Sequence, residues 1–187
     1  MDVGGAPREL GDDVVTLRPW QLEDAPWYAD CVRDPEVQRF TTDLPTLTAA
    51  DVVAAISALP GRPEQVAYLI ADRTGTQRLG NIALELADGV GDVSYWVAAE
   101  ARGRGVARAA LRLLAASAFR DLELRELRLW THADNSASRR VAESAGFSRD
   151  PHRDGPREVK GRIWPTVAYT RRREDPVCGP EIGPTRR

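Results

Sequence analysis

The sequence predicts a single domain of the α/β (α+β) class, in which one mixed sheet is covered by helices on both faces. Two observations carry this prediction. The first half of the chain holds three strand-like runs separated by turn signals, which is typical of an antiparallel meander. The second half alternates strand, helix, strand and helix, which requires a parallel pair with a right-handed crossover. A length of 187 residues fits one domain.

The composition excludes several classes of protein. Hydrophobic residues make up 42% of the chain and charged residues 29%, close to the averages for globular proteins. The formal net charge of −2 disfavours nucleic-acid binding through bulk positive charge. No apolar window reaches the length of a membrane span, so neither a membrane nor a nucleic acid is an expected partner. The isolated Cys31 and Cys178 favour a reducing cytoplasm and predict no metal site.

The folded unit is predicted to span residues 14–173, between flexible ends at 1–13 and 174–187. Both ends lack hydrophobic periodicity, and the second is rich in proline and glycine. No internal repeat or long linker divides the region between them. One domain with two flexible ends is therefore expected.

The elements of the first half follow from short β-branched runs and helix punctuation. The run 14–19 is a strand halted by Pro19. Thr48 is a suitable N-cap for the second of two helices, and Pro60-Gly61 ends that helix. The predicted helices cover 22–32 and 49–59, and the predicted meander strands cover 66–71, 79–87 and 92–98.

The elements of the second half follow from helical periodicity. Apolar residues recur every three or four positions between 105 and 119, the spacing of an amphipathic helix. A strand is predicted at 124–131 and a second helix at 135–145, with Gly146 as its C-terminal left-handed residue. A last strand near 163–170 completes the mixed sheet.

The stretch Arg-Gly-Arg-Gly-Val-Ala-Arg, residues 102–108, is the most informative part of the chain because it joins a strand to a helix. The first N–H groups of a helix have no helical acceptor and lie at the positive end of its dipole, where phosphate binds. Gly103 and Gly105 permit positive φ and leave room for an anion to approach the main chain. The stretch therefore predicts a phosphate or pyrophosphate site.

Two common phosphate-binding motifs do not fit this stretch. A dinucleotide fingerprint needs Gly or Ala where the chain has Arg108, and it follows a βαβ unit rather than a meander. A P-loop needs Gly-Lys-Ser/Thr, whereas Gly105 is followed by Val106 and Ala107. Dinucleotide binding and nucleotide hydrolysis are therefore disfavoured.

The stretch resembles the acyl-CoA pyrophosphate loop of the GNAT superfamily of N-acyltransferases, Gln/Arg-x-x-Gly-x-Gly/Ala, through Arg102, Gly105 and Ala107. Residues 92–97 resemble the fourth strand of that family, and residues 135–147 resemble its Asn-x-x-Ser…Gly-Phe segment. The branch that the chain resembles most is the ribosomal-protein-alanine N-acetyltransferase-like group. The resemblance implies a mostly antiparallel sheet whose central parallel pair splays apart, and acetyl-CoA as the cofactor.

The resemblance also implies a set of cofactor-binding residues. Backbone groups of three residues after the fourth strand would pair with the pantetheine arm, and Asn135 would contact the same arm. The N–H groups of six successive residues would hold the pyrophosphate, beside the motif residue Arg102. The pantetheine set is Val97, Ala98 and Ala99, and the pyrophosphate set is Gly103, Arg104, Gly105, Val106, Ala107 and Arg108.

The catalytic residues are harder to assign from the sequence. Ser138 stands where this branch of the family protonates the leaving thiolate, whereas many relatives use a Tyr at the position that is Ala142 here. Asp92, ahead of Glu85, is the candidate base that removes a proton from the amine. Asn135 and Ser138 also suit the cap and first turn of a helix, and both interpretations stay open.

The expected function is transfer of acetyl from acetyl-CoA to a primary amine, either a peptide N-terminus or a small molecule. The alternative is a non-catalytic acyl-CoA-binding or regulatory protein of the same fold. Residues 40–63 and 150–160 are expected to shape the acceptor site. The protein is expected to be a monomer or a homodimer. Acidic residues in these segments favour a cationic acceptor: Asp43, Asp51, Asp150, Asp154 and Glu158.

Overall fold

The computed structural model describes residues 8–175. Most of the predicted flexible ends, 1–13 and 174–187, lies outside these residues, as does Cys178. The described part of the first end includes Leu10–Gly11, which pairs with the next strand, so the sheet begins before residue 14. No helix between residues 8 and 175 is long and apolar enough to cross a membrane.

One sheet of nine strands forms the centre of the described chain, in the order β1-β2-β3-β4-β5-β6-β9-β7, with β8 paired to β9. All pairs are antiparallel except β5 and β6. This mixed sheet confirms the predicted fold class. The strands are β1 Leu10–Gly11, β2 Val15–Pro19, β3 Gln65–Asp72, β4 Arg78–Ala87, β5 Val90–Val97, β6 Glu126–His132, β7 Ser148–Arg149, β8 Gly155–Val159 and β9 Arg162–Arg172.

Five α-helices cover the sheet within residues 8–175. The predicted helix at 22–32 begins as a 3-10 turn, Leu22–Asp24, before α1, and a six-residue helix, α2, was not predicted. A helix of fewer than two turns is too short to show periodicity. The helices are α1 Ala25–Cys31, α2 Pro35–Phe40, α3 Ala49–Ala58, α4 Val106–Asp121 and α5 Ser136–Ser144.

The turn before β5 is shorter than the sequence suggested. Asp88 and Gly89 form it with φ of 50° and 74°, and the strand begins at Val90. Gly91 belongs to the strand and not to the turn. A glycine is needed here because the surrounding leucines fill the space that a side chain would occupy. A Cβ at this position would lie 2.9 Å from the side chains of Leu84, Leu124 and Leu127.

Helix α4 supplies the largest share of the helical core. Ala110, Leu111 and Leu114 are almost completely buried in the same cluster as Leu84 and Leu127 of the sheet. Complete burial of a leucine side chain contributes roughly 1.5 to 3 kcal/mol. This packing fixes the beginning of α4 beside the end of β5, from which the chain reaches it through the 3-10 turn Ala99–Ala101.

The parallel strands β5 and β6 separate along their length. Their pairing runs from Val90 and Glu126 to Asp92 and Arg128 and then stops. Beyond that point β5 stays paired with β4 as far as Val97, and β6 stays paired with β9 as far as His132. The two strands therefore open like a V, as the resemblance implied.

Asp34 ties α2 to the segment before α4. Its Oδ1 accepts hydrogen bonds from the N–H groups of Glu36 and Val37, both at 3.0 Å, and from the guanidinium of Arg102 at 2.5 Å. We expect Asp34→Ala to lower the free energy of unfolding by about 1 to 2 kcal/mol, because the cap and a partly exposed ion pair are both lost. Chemical denaturation measures the change.

Asp34→Asn is the matched control for this stability prediction. Asparagine caps helices about as well as aspartate, so this variant keeps the cap and loses only the charge that pairs with Arg102. It should retain most of the stability. If Asp34→Ala leaves the free energy of unfolding unchanged, the capping role of Asp34 is contradicted.

Candidate active site

A cavity of about 830 Å³ opens where β5 and β6 separate. Its walls come from β4, β5, β6, the beginning of α4, α5, and a segment that includes residues 40–43. The chain therefore brings the stretch 102–108, the segment 135–138 and the end of α2 to one space, although they are far apart in the sequence.

The beginning of α4 forms one end of this cavity. Gly103 and Gly105 have φ of 72° and 77°, in the region that favours glycine, and a Cβ on either would meet nothing within 4 Å. The first helical bond runs from the N–H of Ala109 to the carbonyl of Gly105, at 3.0 Å. The N–H groups of the first turn, from Val106 to Arg108, consequently have no helical acceptor.

Most of the predicted cofactor-binding residues line the cavity, but three do not. Ala98, Ala99 and Arg104 lie outside the lining. Ala98 is buried, and its N–H already donates to the carbonyl of Leu79 at 2.8 Å. The lining residues of the predicted set are Val97, Arg102, Gly103, Gly105, Val106, Ala107, Arg108 and Asn135.

Arg102 is held by the protein itself. Its Nε donates to the carbonyl of Val97 at 3.2 Å, and its other end pairs with Asp34. The side chain therefore braces the loop between β5 and α4 against α2. This contact gives the arginine of the motif a positioning role that the sequence alone did not indicate.

Ser138 lies in the first turn of α5 and faces β5 across the cavity. Its Oγ is 2.9 Å from the hydroxyl of Tyr95, and its N–H donates to Oδ1 of Asn135 at 3.0 Å. Asn135 is thus the N-cap of α5 and also lines the cavity. The capping interpretation of Asn135 is correct, and it leaves room for a ligand contact as well.

The hydroxyl of Tyr95 is a site feature that sequence reasoning missed. Burial raises the pKa of Tyr95 to about 12, so the phenol is protonated at neutral pH and is able to donate to Ser138. No sequence signal indicated this contact, because the two residues are 43 positions apart. Ala142, where many relatives have tyrosine, is completely buried.

The two carboxylates proposed as bases face each other on neighbouring strands. Glu85 and Asp92 are directly paired between β4 and β5, and both are exposed and line the cavity. A smaller cavity of about 370 Å³ adjoins them and includes Arg128 and Arg157 in its walls. Arg157 lies over the ring of Trp130, with its Cζ 4.9 Å from the ring centroid.

Of the five acidic residues expected to favour a cationic acceptor, Asp43 lines the main cavity and the other four do not. Asp51 accepts from the N–H of Thr48, the N-cap of α3, and Asp150 and Asp154 form ion pairs with Arg153 and Arg149, respectively. Most of the two segments expected to shape the acceptor site therefore lies away from this cavity. The contributing part of the first segment is 40–43.

The mixed sheet opens between its parallel strands, and a glycine-rich helix start lies beside the opening. These two features define a class of α/β proteins that can hold an elongated, phosphate-bearing ligand between two strands. The chain belongs to the acetyltransferase (GNAT) domain family, whose profile matches residues 15–148. This match confirms the family predicted from the sequence, and with it the expected enzyme class, an acyltransferase.

Comparisons with individual proteins agree with this family. The chain is 38% identical over 65 residues, 34% of its length, to YdaF of Bacillus subtilis (strain 168), a protein named for ribosomal N-acetyltransferase activity. The aligned segment spans 36% of that relative, about a third of its length.

Two solved structures share the fold. RimJ of Mycobacterium smegmatis, in complex with CoA-disulfide, has a TM-score of 0.75 at 19% identity, covering 90% of this chain and 88% of RimJ. Spermidine N-acetyltransferase of Vibrio cholerae, in complex with CoA and spermine, has a TM-score of 0.76 at 15% identity, covering 86% of this chain and 96% of that protein.

Proposed function

We propose that this protein transfers the acetyl group of acetyl-CoA to a primary amine by direct attack of the amine on the thioester. The observation that carries the proposal is the single cavity shared by the beginning of α4, the open edge of β5 and the hydroxyl of Ser138. Of the two solved structures described above, RimJ is in complex with CoA-disulfide and spermidine N-acetyltransferase is in complex with CoA and spermine, which supports the proposal.

The residues at the beginning of α4 fit a pyrophosphate. The open space over Gly103 and Gly105 leaves the backbone accessible, and the N–H groups of the first turn point toward the region where the helix dipole favours an anion. Arg108 and Arg140, which also line the cavity, add positive charge. Val97 and Asn135 would contact the pantetheine arm.

Acetyl-CoA supplies an activated acyl group when it is bound. The chain's own contribution is to orient the acceptor amine and to handle protons. Ser138 is the proposed donor of a proton to the departing thiolate, with its hydroxyl oriented by the protonated Tyr95. If the phenol donates to Oγ of Ser138, the serine hydrogen is free to point into the cavity.

The amine must lose a proton before it attacks, because amines are mostly protonated at neutral pH. Asp92, ahead of Glu85, is the base proposed from the sequence. Support for both comes from their position on the wall of the same cavity. Arg128, which pairs with Glu126, shares the wall of the adjoining cavity with them.

The acceptor is proposed to carry its amine at a peptide N-terminus or in a small molecule. The relative YdaF is named for ribosomal N-acetyltransferase activity, and a protein of similar fold is named for spermidine, a small amine. Both kinds of acceptor therefore belong in the test. A cytoplasmic location and a monomeric or homodimeric state stay predictions.

The function is tested first by binding and then by turnover. We expect calorimetric titration to show binding of acetyl-CoA and CoA, and no binding of ATP or NAD. A panel of peptides and small amines should then release CoA thiol only when protein, acetyl-CoA and a suitable amine are all present. Selective CoA binding without thiol release from any amine would favour the non-catalytic alternative.

A further inference from the structure

Asp43 is the one of the five acidic residues named from the sequence that lies on the wall of the main cavity. Its two oxygens accept from the hydroxyl of Tyr28 on α1, at 3.2 and 3.3 Å. The indole N–H of Trp96 on β5 is buried and has no hydrogen-bond partner within residues 8–175. That N–H lies near enough to Asp43 to favour the ionised carboxylate.

The charge of Asp43 is not balanced by an ion pair within the described residues. Four other shielded or partly shielded carboxylates are paired with arginine: Asp24 with Arg18 and Arg78, Asp34 with Arg102, Glu126 with Arg128 and Arg172, and Asp154 with Arg149. A shielded carboxylate without a cation is costly. Asp43 therefore has a place for a positively charged ligand from the cavity.

Two ionisable groups face Asp43, and neither forms an ion pair with it within the described residues. Lys160, in the β8–β9 turn, directs its ammonium to the backbone and side-chain oxygens of Gln38 on α2, at 3.1 and 2.9 Å. Tyr28 is a neutral phenol whose own pKa is raised by burial. Burial raises the pKa of Asp43, and its effect is larger than the opposing effects of Tyr28, Lys160 and Trp96. The raised pKa makes the carboxylate a better base.

Strand β5 relates Asp43 to the rest of the site. Tyr95 and Trp96 are consecutive, so their side chains point to opposite faces of the sheet. Ser138 contacts one of them and Asp43 lies near the other. Asp92 stands four residues before Trp96, which corresponds to roughly 13 Å along a strand. Asp43 and Ser138 thus approach β5 from opposite sides, and both line the one cavity at the open edge of this strand.

We propose that Asp43 binds the ammonium group of the acceptor and, in place of Asp92 or Glu85, takes a proton from it. The proposal rests on the proposed acetyl transfer and names the chemistry of its acceptor site. One N–H proton passes to the carboxylate, and the nitrogen lone pair forms the N–C bond with the acetyl carbonyl carbon as the C–S bond breaks. The second N–H proton leaves the nitrogen as the amide forms and replaces the proton that Ser138 gives to the thiolate, and the Asp43 proton leaves to solvent.

Asp43→Asn tests this role because it preserves the shape of the side chain and removes its charge. With the best amine of the panel, we expect kcat/KM at pH 7 to fall about 100-fold, at the lower end of general-base effects. The wild-type kcat/KM should fall as Asp43 is protonated at low pH. In the variant it should instead follow the fraction of neutral amine and recover at high pH.

Tyr28→Phe is the matched control, since it removes the hydrogen bond from Tyr28 to Asp43 and keeps the carboxylate. That hydrogen bond lowers the pKa of Asp43, so its loss should move the acidic limb to higher pH without removing it. The proposal is wrong if Asp43→Asn keeps the wild-type pH profile, or if Asp92→Asn or Glu85→Gln removes the acidic limb instead.

A binding measurement separates this proposal from acetyl transfer. Should the wild type transfer acetyl to no amine, the proposed function fails, and Asp43 is then judged by titrating the CoA-loaded protein with propylammonium while recording tryptophan fluorescence. Binding by the wild type that Asp43→Asn weakens at least about tenfold supports the ammonium site. Equal binding by both proteins, or none by the wild type, overturns it.

Discussion

Gly105→Glu is expected to abolish measurable binding of acetyl-CoA and CoA. The substitution places a carboxylate at the beginning of α4, where the proposed site receives a pyrophosphate. Two unit charges 4 Å apart repel by about 4 kcal/mol at an effective dielectric constant of 20, and each 1.4 kcal/mol corresponds to a tenfold change in affinity. Calorimetric titration should therefore show a loss of affinity of about 100-fold to 1000-fold.

Gly75→Glu is a matched control for the strain and the charge of this variant. Gly75, in the turn between β3 and β4, has φ of 76° and open space around its Cα, as Gly105 does. A side chain in this backbone region costs roughly 1 to 2 kcal/mol at either site. Gly75→Glu should bind CoA normally. Unchanged affinity in a folded Gly105→Glu protein would refute the anion site.

The order of strands and helices was predictable because it depends on local pattern. The meander strands are strand-like runs bounded by turn signals, and the apolar residues of α4 recur every three or four positions. The structure confirms both. The short elements α2, β7 and β8 were missed. They are too short to have a period, and the hydrogen bonds of β7 and β8 with β9 hold them in place.

The candidate site was predictable where one continuous segment forms it. The stretch from Arg102 to Arg108 carries its own backbone geometry, so its glycines and helix start were evident in the sequence. The pairs Tyr95–Ser138 and Tyr28–Asp43 depend on which strand faces which helix. Those contacts are set by the packing of distant elements, and no local pattern records them.

Ser138→Ala is expected to lower kcat about 1000-fold while the affinity for acetyl-CoA stays within a few-fold of the wild type. General acid catalysis contributes roughly 10²- to 10⁴-fold, and Ala142 offers no replacement donor. The backbone bond from Ser138 to Asn135 is kept in the variant, so α5 retains its cap. Single-turnover rates and calorimetry separate the two quantities.

Two further variants identify the origin of the loss. Ser136→Ala changes an exposed serine of the same helix that does not line the cavity and should leave kcat unchanged. Tyr95→Phe removes the hydroxyl that orients Ser138 and should lower kcat less than Ser138→Ala does, because the serine proton remains. If Ser138→Ala weakens acetyl-CoA binding as much as it slows transfer, then Ser138 is a binding residue, and the proton reaches the thiolate from another group.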